Sequence, residues 1–123
     1  PDGVTDGFYT FAQFDTPSKA NCSPDICDWI DTYESTFGNL PNIGSAYGYM
    51  YMDITARALE IAGRDLTTDS FLNALESIND YKIPFGDTTL SWSPEKHLGA
   101  NVAYLFEVQN GTFIQTDNKE YTY

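Results

Sequence analysis

Residues 44–63 read Gly44-Ser45-Ala46-Tyr47-Gly48-Tyr49-Met50-Tyr51-Met52-Asp53-Ile54-Thr55-Ala56-Arg57-Ala58-Leu59-Glu60-Ile61-Ala62-Gly63. The run predicts the longest helix of the chain, over roughly Ser45–Ala62, with Gly63 as its stop. Tyr47, Tyr51, Ile54, Ala58 and Ile61 recur at helical spacing and predict its inner face. Asp53 with Arg57, and Glu60 with Arg64, are i,i+4 pairs with the acid first, the more favourable order. Small residues at Ala46, Gly48, Ala56, Ala58 and Ala62 permit close approach to a sheet or another helix.

Upstream, a Gly/Pro/Asn linker from Gly38 to Gly44 follows a second amphipathic helix. Ser23-Pro24 supplies its cap and first residue, Asp25 and Asp28 suit its positive end, and Ile26, Ile30, Tyr33 and Phe37 recur before Gly38 stops it. Before it come the loop Asp15-Thr16-Pro17-Ser18 and the aromatic run Gly7-Phe8-Tyr9-Thr10-Phe11, read as a buried strand. Downstream, Thr68 is placed to cap a third helix through Phe71, Leu72, Leu75 and Ile78. Beyond Asn79 the period changes. Thr88–Trp92 reads as a short strand and Ser93-Pro94-Glu95 as a turn. Val102, Tyr104, Phe106 and Val108 alternate as a strand, and Asn110-Gly111 favours a type I′ hairpin into Thr112–Gln115. The polar tail, Asp117–Tyr123, is expected to fray. No repeat or low-complexity tract is present.

That order poses a problem. Helices need a sheet to cover, and the opening strand has no neighbour in sequence to pair with. The chain also begins at Pro1 rather than at Met. We therefore expect a processed or cut chain whose partner strands come from upstream sequence or another subunit.

The 123 residues suit one domain, and a composition that is 41% hydrophobic and 15% aromatic argues for a packed core. Six Lys and Arg against 18 Asp and Glu give a net charge of −12. So few cations cannot build a phosphate-binding surface, which excludes nucleic acid as a partner and docking on anionic lipid by charge. No apolar stretch is long enough to span a membrane, and the N-terminus has no signal-peptide pattern. Cys22 and Cys27 enclose Ser23-Pro24-Asp25-Ile26, the wrong spacing for a redox pair and too few ligands for zinc. A local disulfide in an oxidising compartment is expected; two free thiols in the cytosol are the alternative.

Catalytic constellations do not assemble. His97, the single histidine, could pair with Cys27, but a disulfide consumes that thiol and leaves a turn histidine. Gly44-Ser45-Ala46-Tyr47-Gly48 misplaces its serine by one from a nucleophile elbow, and serine at a helix entry is a cap. Asp25, Asp28 and Asp31 share a helix face that cannot wrap a calcium ion, so a solvated acidic face is expected. Asn21-Cys22-Ser23 and Asn110-Gly111-Thr112 match the glycosylation acceptor pattern, of use only in a eukaryotic secretory route. No phosphate-cradling glycine loop occurs. No metal, cofactor or enzymatic activity is expected. The residues that remain are Ser45, Tyr47, Tyr49 and Tyr51 with Met50 and Met52 around a helix N-terminus, where core packing competes with capture of a small polar anion or carboxylate.

The order of these segments resembles the C-terminal third of a type I periplasmic binding protein, the Leu/Ile/Val-type solute-binding family of ABC importers. Ala46-Tyr47-Gly48-Tyr49 and Asp53–Gly63 are similar to that family's "A-Y-G-Y-D-A … A-x-A-L-E-x-A-G" helix. Phe71–Glu76 resembles its next helix. Phe85-Gly86, Leu90–Pro94 and His97-Leu98-Gly99 resemble its "F-x-G … v-x-F-d-p-x-G-H-x-G" segment, and the hairpin over Val102–Phe113 its closing hairpin.

The resemblance implies an α/β fold, part of a two-lobed structure: a strand, three helices, then strands with a C-terminal hairpin. Residues 1–12 would end the second lobe, 13–22 would cross the hinge, and 23–87 would form the helical part of the first lobe. Residues 88–116 would supply a hinge-proximal strand and the hairpin, and 117–123 a tail. The opening strand would then pair with strands absent from this chain. The implied function is capture of a small polar solute, such as an amino acid or related amide, for a membrane permease. Gly44, Ser45 and Tyr47 would line the ligand cleft, and Phe11, Phe14 and Trp92 would sit at the hinge. Gly44 stands where the family often carries an aromatic, a departure that points away from a branched aliphatic ligand. The Cys22–Cys27 insertion is outside the family pattern. Location would be periplasmic or extracellular, with a lipid anchor upstream as an option. A self-contained secreted interaction module, or a ligand-sensing receptor domain of the same fold, is the alternative.

Overall fold

The computed structural model describes residues 4–20, 22–86, 88–110 and 112–122. Its elements are β1 (Tyr9–Ala12), α1 (Pro24–Phe37), α2 (Ile43–Ala62), α3 (Thr68–Glu76), β2 (Tyr81–Lys82), β3 (Thr89–Leu90), β4 (Val102–Gln109), β5 (Thr112–Gln115) and β6 (Tyr121–Thr122). Three helices lie between a first strand and a late group of strands, as expected.

Helix ends follow local chemistry. Gly38 adopts the left-handed conformation at φ 75° and donates its N–H to Glu34, closing α1. Ser23 is the N-cap residue of α1, but its hydroxyl makes no capping bond. Helix α2 starts earlier than Ser45, because Asn42 is the N-cap. The Asn42 side chain accepts from Ser45 N at 3.1 Å while Ser45 Oγ accepts from Asn42 N at 3.4 Å. The same reciprocal device caps α3, with Thr67 rather than Thr68 as its cap. Gly63 ends α2 before Arg64, so the Glu60–Arg64 pair does not form, whereas Arg57 Nε reaches Asp53 Oδ2 at 2.9 Å.

The main core joins α2, α3 and the β2–β3 ribbon. Ala46, Met50, Ile54 and Ala58 form the buried stripe of α2, and they meet Ala74, Ile78, Tyr81, Ile83 and Leu90. Ile54 and Ala58 of the expected inner face are buried and Tyr47 packs against the core, but Ala46 and Met50 complete the stripe in place of Tyr51 and Ile61. Met50 is 2% exposed, whereas Tyr51 and Ile61 are 58% and 56% exposed. Of the expected small-residue contacts, Ala46 and Ala58 are buried, while Gly48 and Ala56 face outward.

Strand β1 corrects two expectations. It pairs antiparallel with β4, Tyr9 opposite Glu107 and Phe11 opposite Leu105, so it has a partner within this chain. It is also not buried: Tyr9 is 59% and Phe11 58% exposed. Across β4 lies β5, with Phe106 opposite Gln115 and Val108 opposite Phe113. Asn110, at φ 52°, supports the tight turn between them, and Gly111 lies outside the described residues, as does Asn21 of the first acceptor pattern. Contrary to the expected fraying, residues 117–122 of the tail are tied to the sheet. Its β6 pairs with Val102 and Ala103, Tyr104 OH donates to Glu120 Oε1 at 3.2 Å, and the Tyr121 ring meets Phe11 edge-on at 5.1 Å. The strand expected over Thr88–Trp92 is reduced to β3, whose partner β2 the sequence reading did not include.

Candidate functional site

The segment from Gln13 to Cys22 joins the sheet to α1 and is fastened at several points. Thr88, itself buried, donates from Oγ1 to Gln13 O at 2.8 Å. Gly86 lies against Phe14: an added Cβ would stand 3.1 Å from Phe14 Cβ and 3.3 Å from its Cα, so a side chain there would force the segment to move. Cys22 and Cys27 form the expected disulfide, with Cα atoms 5.4 Å apart, across the first turn of α1. Lys19 then bridges Asp31 at 2.6 Å and Glu34 at 2.8 Å further along the same helix, and the two carboxylates raise its pKa to about 12. The acidic face of α1 is thus partly neutralised, and no metal-ligating cluster occurs among the described residues.

The structure gathers only some of the expected site residues. Tyr47 meets Phe14 edge-on at 4.8 Å and stacks on Tyr51 at 5.8 Å, so the first turns of α2 touch the joining segment directly. Ser45 Oγ is hydrogen-bonded to the Tyr33 hydroxyl at 2.9 Å besides its part in the cap. Gly44 is exposed beside Asn42 Oδ1. Phe11 lies on the sheet with Tyr121, whereas Trp92 packs on the main core and presses on Gly99, where an added Cβ would stand 2.6 Å from the indole. Of the three hinge candidates, Phe14 is the one in ring contact with Tyr47. His97 is exposed, its Nε2 at 3.4 Å from Glu76 Oε1, and the thiol of Cys27 is consumed in the disulfide.

Two concavities flank α2. The smaller, about 390 Å³, is lined by Trp29, Tyr33, Ser45, Gly48, Tyr49 and Met52 among others. Trp29 closes it against Tyr33, Tyr49 and Phe85, with ring centroids 5.2–5.8 Å away. The larger, about 670 Å³, runs between the 15–18 loop with the start of α1 and the middle of α2 with β2 and its following loop. One side carries a network that the sequence reading missed. Tyr81 OH donates to Asp53 Oδ2 at 2.8 Å, Arg57 Nε donates to the same oxygen, and the guanidinium lies 5.0 Å over the Tyr81 ring. Burial first, and then the bond to Asp53, raise the Tyr81 pKa far above its ordinary value. The Asp53–Arg57 spacing was legible in sequence, but Tyr81, 28 positions from Asp53, gave no signal.

Periplasmic binding proteins as a family match residues 2–112. The chain belongs to this family. Among solved structures, a branched chain amino acid ABC transporter from Thermus thermophilus with bound valine superposes with a TM-score of 0.77 at 16% identity, covering 97% of this chain and 34% of that one. An extracellular ligand-binding receptor from Rhodopseudomonas palustris HaA2 does so with a TM-score of 0.67 at 21% identity, covering 93% and 35%. At such identities the likeness is one of fold: the chain has the architecture of part of a type I periplasmic binding protein. It spans about a third of the length of these structures. A comparison with curated protein sequences finds no match.

Proposed function

We propose that this periplasmic-binding-protein chain works as part of an extracytoplasmic receptor that captures a small polar solute, amino-acid-like, and delivers it to the membrane permease of an ABC importer. The observation that carries the reading is the family match over residues 2–112, joined to a fold shared with a transporter protein solved with valine bound. In this reading the upstream part of the receptor supplies most of the groups that grip the solute. The present chain contributes Gly44, Ser45 and Tyr47 at the start of α2. Residues 1–12 close the second lobe and reach the hinge at Phe11, 13–22 cross it with Phe14, 23–87 build the first lobe, and Trp92 in 88–116 returns to the hinge. The Phe14–Tyr47 contact supports a link between the crossing and the solute, because a hinge motion that shifts Phe14 also presses on Tyr47. Location is periplasmic or extracellular, consistent with the Cys22–Cys27 disulfide.

Titration calorimetry of the complete receptor against a panel of amino acids and their amides tests the proposal. One member is expected to bind saturably. Tyr47→Ala should weaken it by about tenfold, the equivalent of roughly 1.4 kcal/mol. Tyr33→Ala, which removes a partner of Ser45 rather than a solute contact, should lower stability and leave affinity in place. A panel with no saturable member, or a Tyr47→Ala receptor of unaltered affinity, would sink the assignment of this site.

A further inference from the structure

The larger groove lies apart from Gly44, Ser45 and Tyr47, and its charges are arranged unlike those of a buried ion-pair site. Among the described residues, Arg57 uses only Nε, on Asp53 Oδ2, so its terminal nitrogens keep their donor capacity while the Tyr81 ring holds the guanidinium in place. Lys82, exposed on β2, lines the same groove and has no partner among the described residues. Both cations come from a chain that holds only six Lys and Arg. The 15–18 loop contributes Asp15, whose carboxylate likewise has no partner among the described residues, and the start of α1 adds Asp25. Asp15 forms no ion pair with Arg57 or Lys82, and all three line the one concavity of about 670 Å³. Desolvation alone raises the Asp15 pKa, as expected of a carboxylate with no cation close by. Tyr49 and Phe85 add apolar surface to the lining.

We propose that this groove is a second binding site, for an elongated zwitterion whose ammonium and carboxylate are separated by a short methylene chain. The carboxylate sits on the Arg57 fork and Lys82, where a planar guanidinium and a mobile ammonium complement its two oxygens. The ammonium faces Asp15, with Asp25 adding to the field, and the methylenes lie along Tyr49 and Phe85. The volume falls in the range of small-molecule sites. The groove's lining holds none of Gly44, Ser45 and Tyr47. The proposal therefore stands independently of the solute site at the start of α2.

The probe is 5-aminopentanoate, titrated into the complete receptor by calorimetry, with pentanoate and pentylammonium as single-charge controls. Saturable binding of the zwitterion is expected, with each control weaker by about tenfold, since each forfeits one set of charged hydrogen bonds. Asp15→Asn and Lys82→Gln, both at exposed positions, should each weaken 5-aminopentanoate by about fivefold with an unchanged circular dichroism spectrum. An α-amino acid bound at the first site should not compete. Equal affinity for all three probes, no saturable heat, unaltered binding in both variants, or competition with the α-amino acid would each overturn the proposal.

Discussion

Asp53 Oδ2 receives two donors, the Tyr81 hydroxyl and Arg57 Nε, and this one oxygen ties α2 to β2. The neutral phenol is the form the fold holds, because burial and the adjacent carboxylate both oppose its ionisation. Its folded-state pKa is raised above the ordinary 10.0, so its contribution to stability is complete below pH 10.0 and is lost as pH climbs from there toward the raised value. Tyr81→Phe should cost about 1–2 kcal/mol at neutral pH, read from the urea midpoint. It should also remove part of the fall in stability above pH 10, so that wild type and variant converge as the solution becomes alkaline. A gap that stays constant with pH would show that the phenol does not titrate in this way. The sequence made half of this network readable, through the four-residue spacing of Asp53 and Arg57. Tyr81 was invisible because a tertiary contact leaves no local pattern.

Among the elements, the segment from Gln13 to Cys22 is held by sequence-local and distant devices together. Breaking the short loop with Cys22→Ser and Cys27→Ser should lower stability by about 2 kcal/mol in the chain-entropy account, measured by urea unfolding without reductant. Adding reductant should then bring the wild type to the variant's midpoint and leave the variant unmoved. Gly99 offers a second test at this scale. Gly99→Ala would drive a methyl group into the Trp92 indole, and the overpacking should cost about 1–3 kcal/mol, detectable as a lower midpoint with unchanged cooperativity. What sequence made legible here were local signals: the glycine stops at Gly38 and Gly63, the alternation along β4, and the cysteine spacing. What it misplaced depended on competition between neighbours. Asn42 and Ser45 are both capping residues, and only the reciprocal bonds decide which one is outside the helix. Met50 and Tyr51 are both apolar enough for the core, and the flexible, wholly apolar side chain takes it while the phenol faces out. An aromatic run reads as a buried strand, but β1 lies at one side of β4 with its rings exposed.

At the scale of the molecule, exposed apolar rings on β1 and exposed Tyr51, Met52 and Leu59 on α2 belong to a chain that spans a third of the structures it superposes on. Fold class was legible because the order strand, three helices, strands is carried by periodicity and by short motifs in sequence. The solute was not, because in the proposed receptor most contacts lie outside these residues. In the proposed receptor, two lobes close over a small amino-acid-like solute, with residues 13–22 as one of the crossings. Small-angle X-ray scattering of the complete receptor, with and without its saturating amino-acid ligand, tests this most directly. The account predicts a smaller radius of gyration with ligand and a calculated profile that requires closure. Identical scattering with and without a ligand known to occupy the site would contradict it.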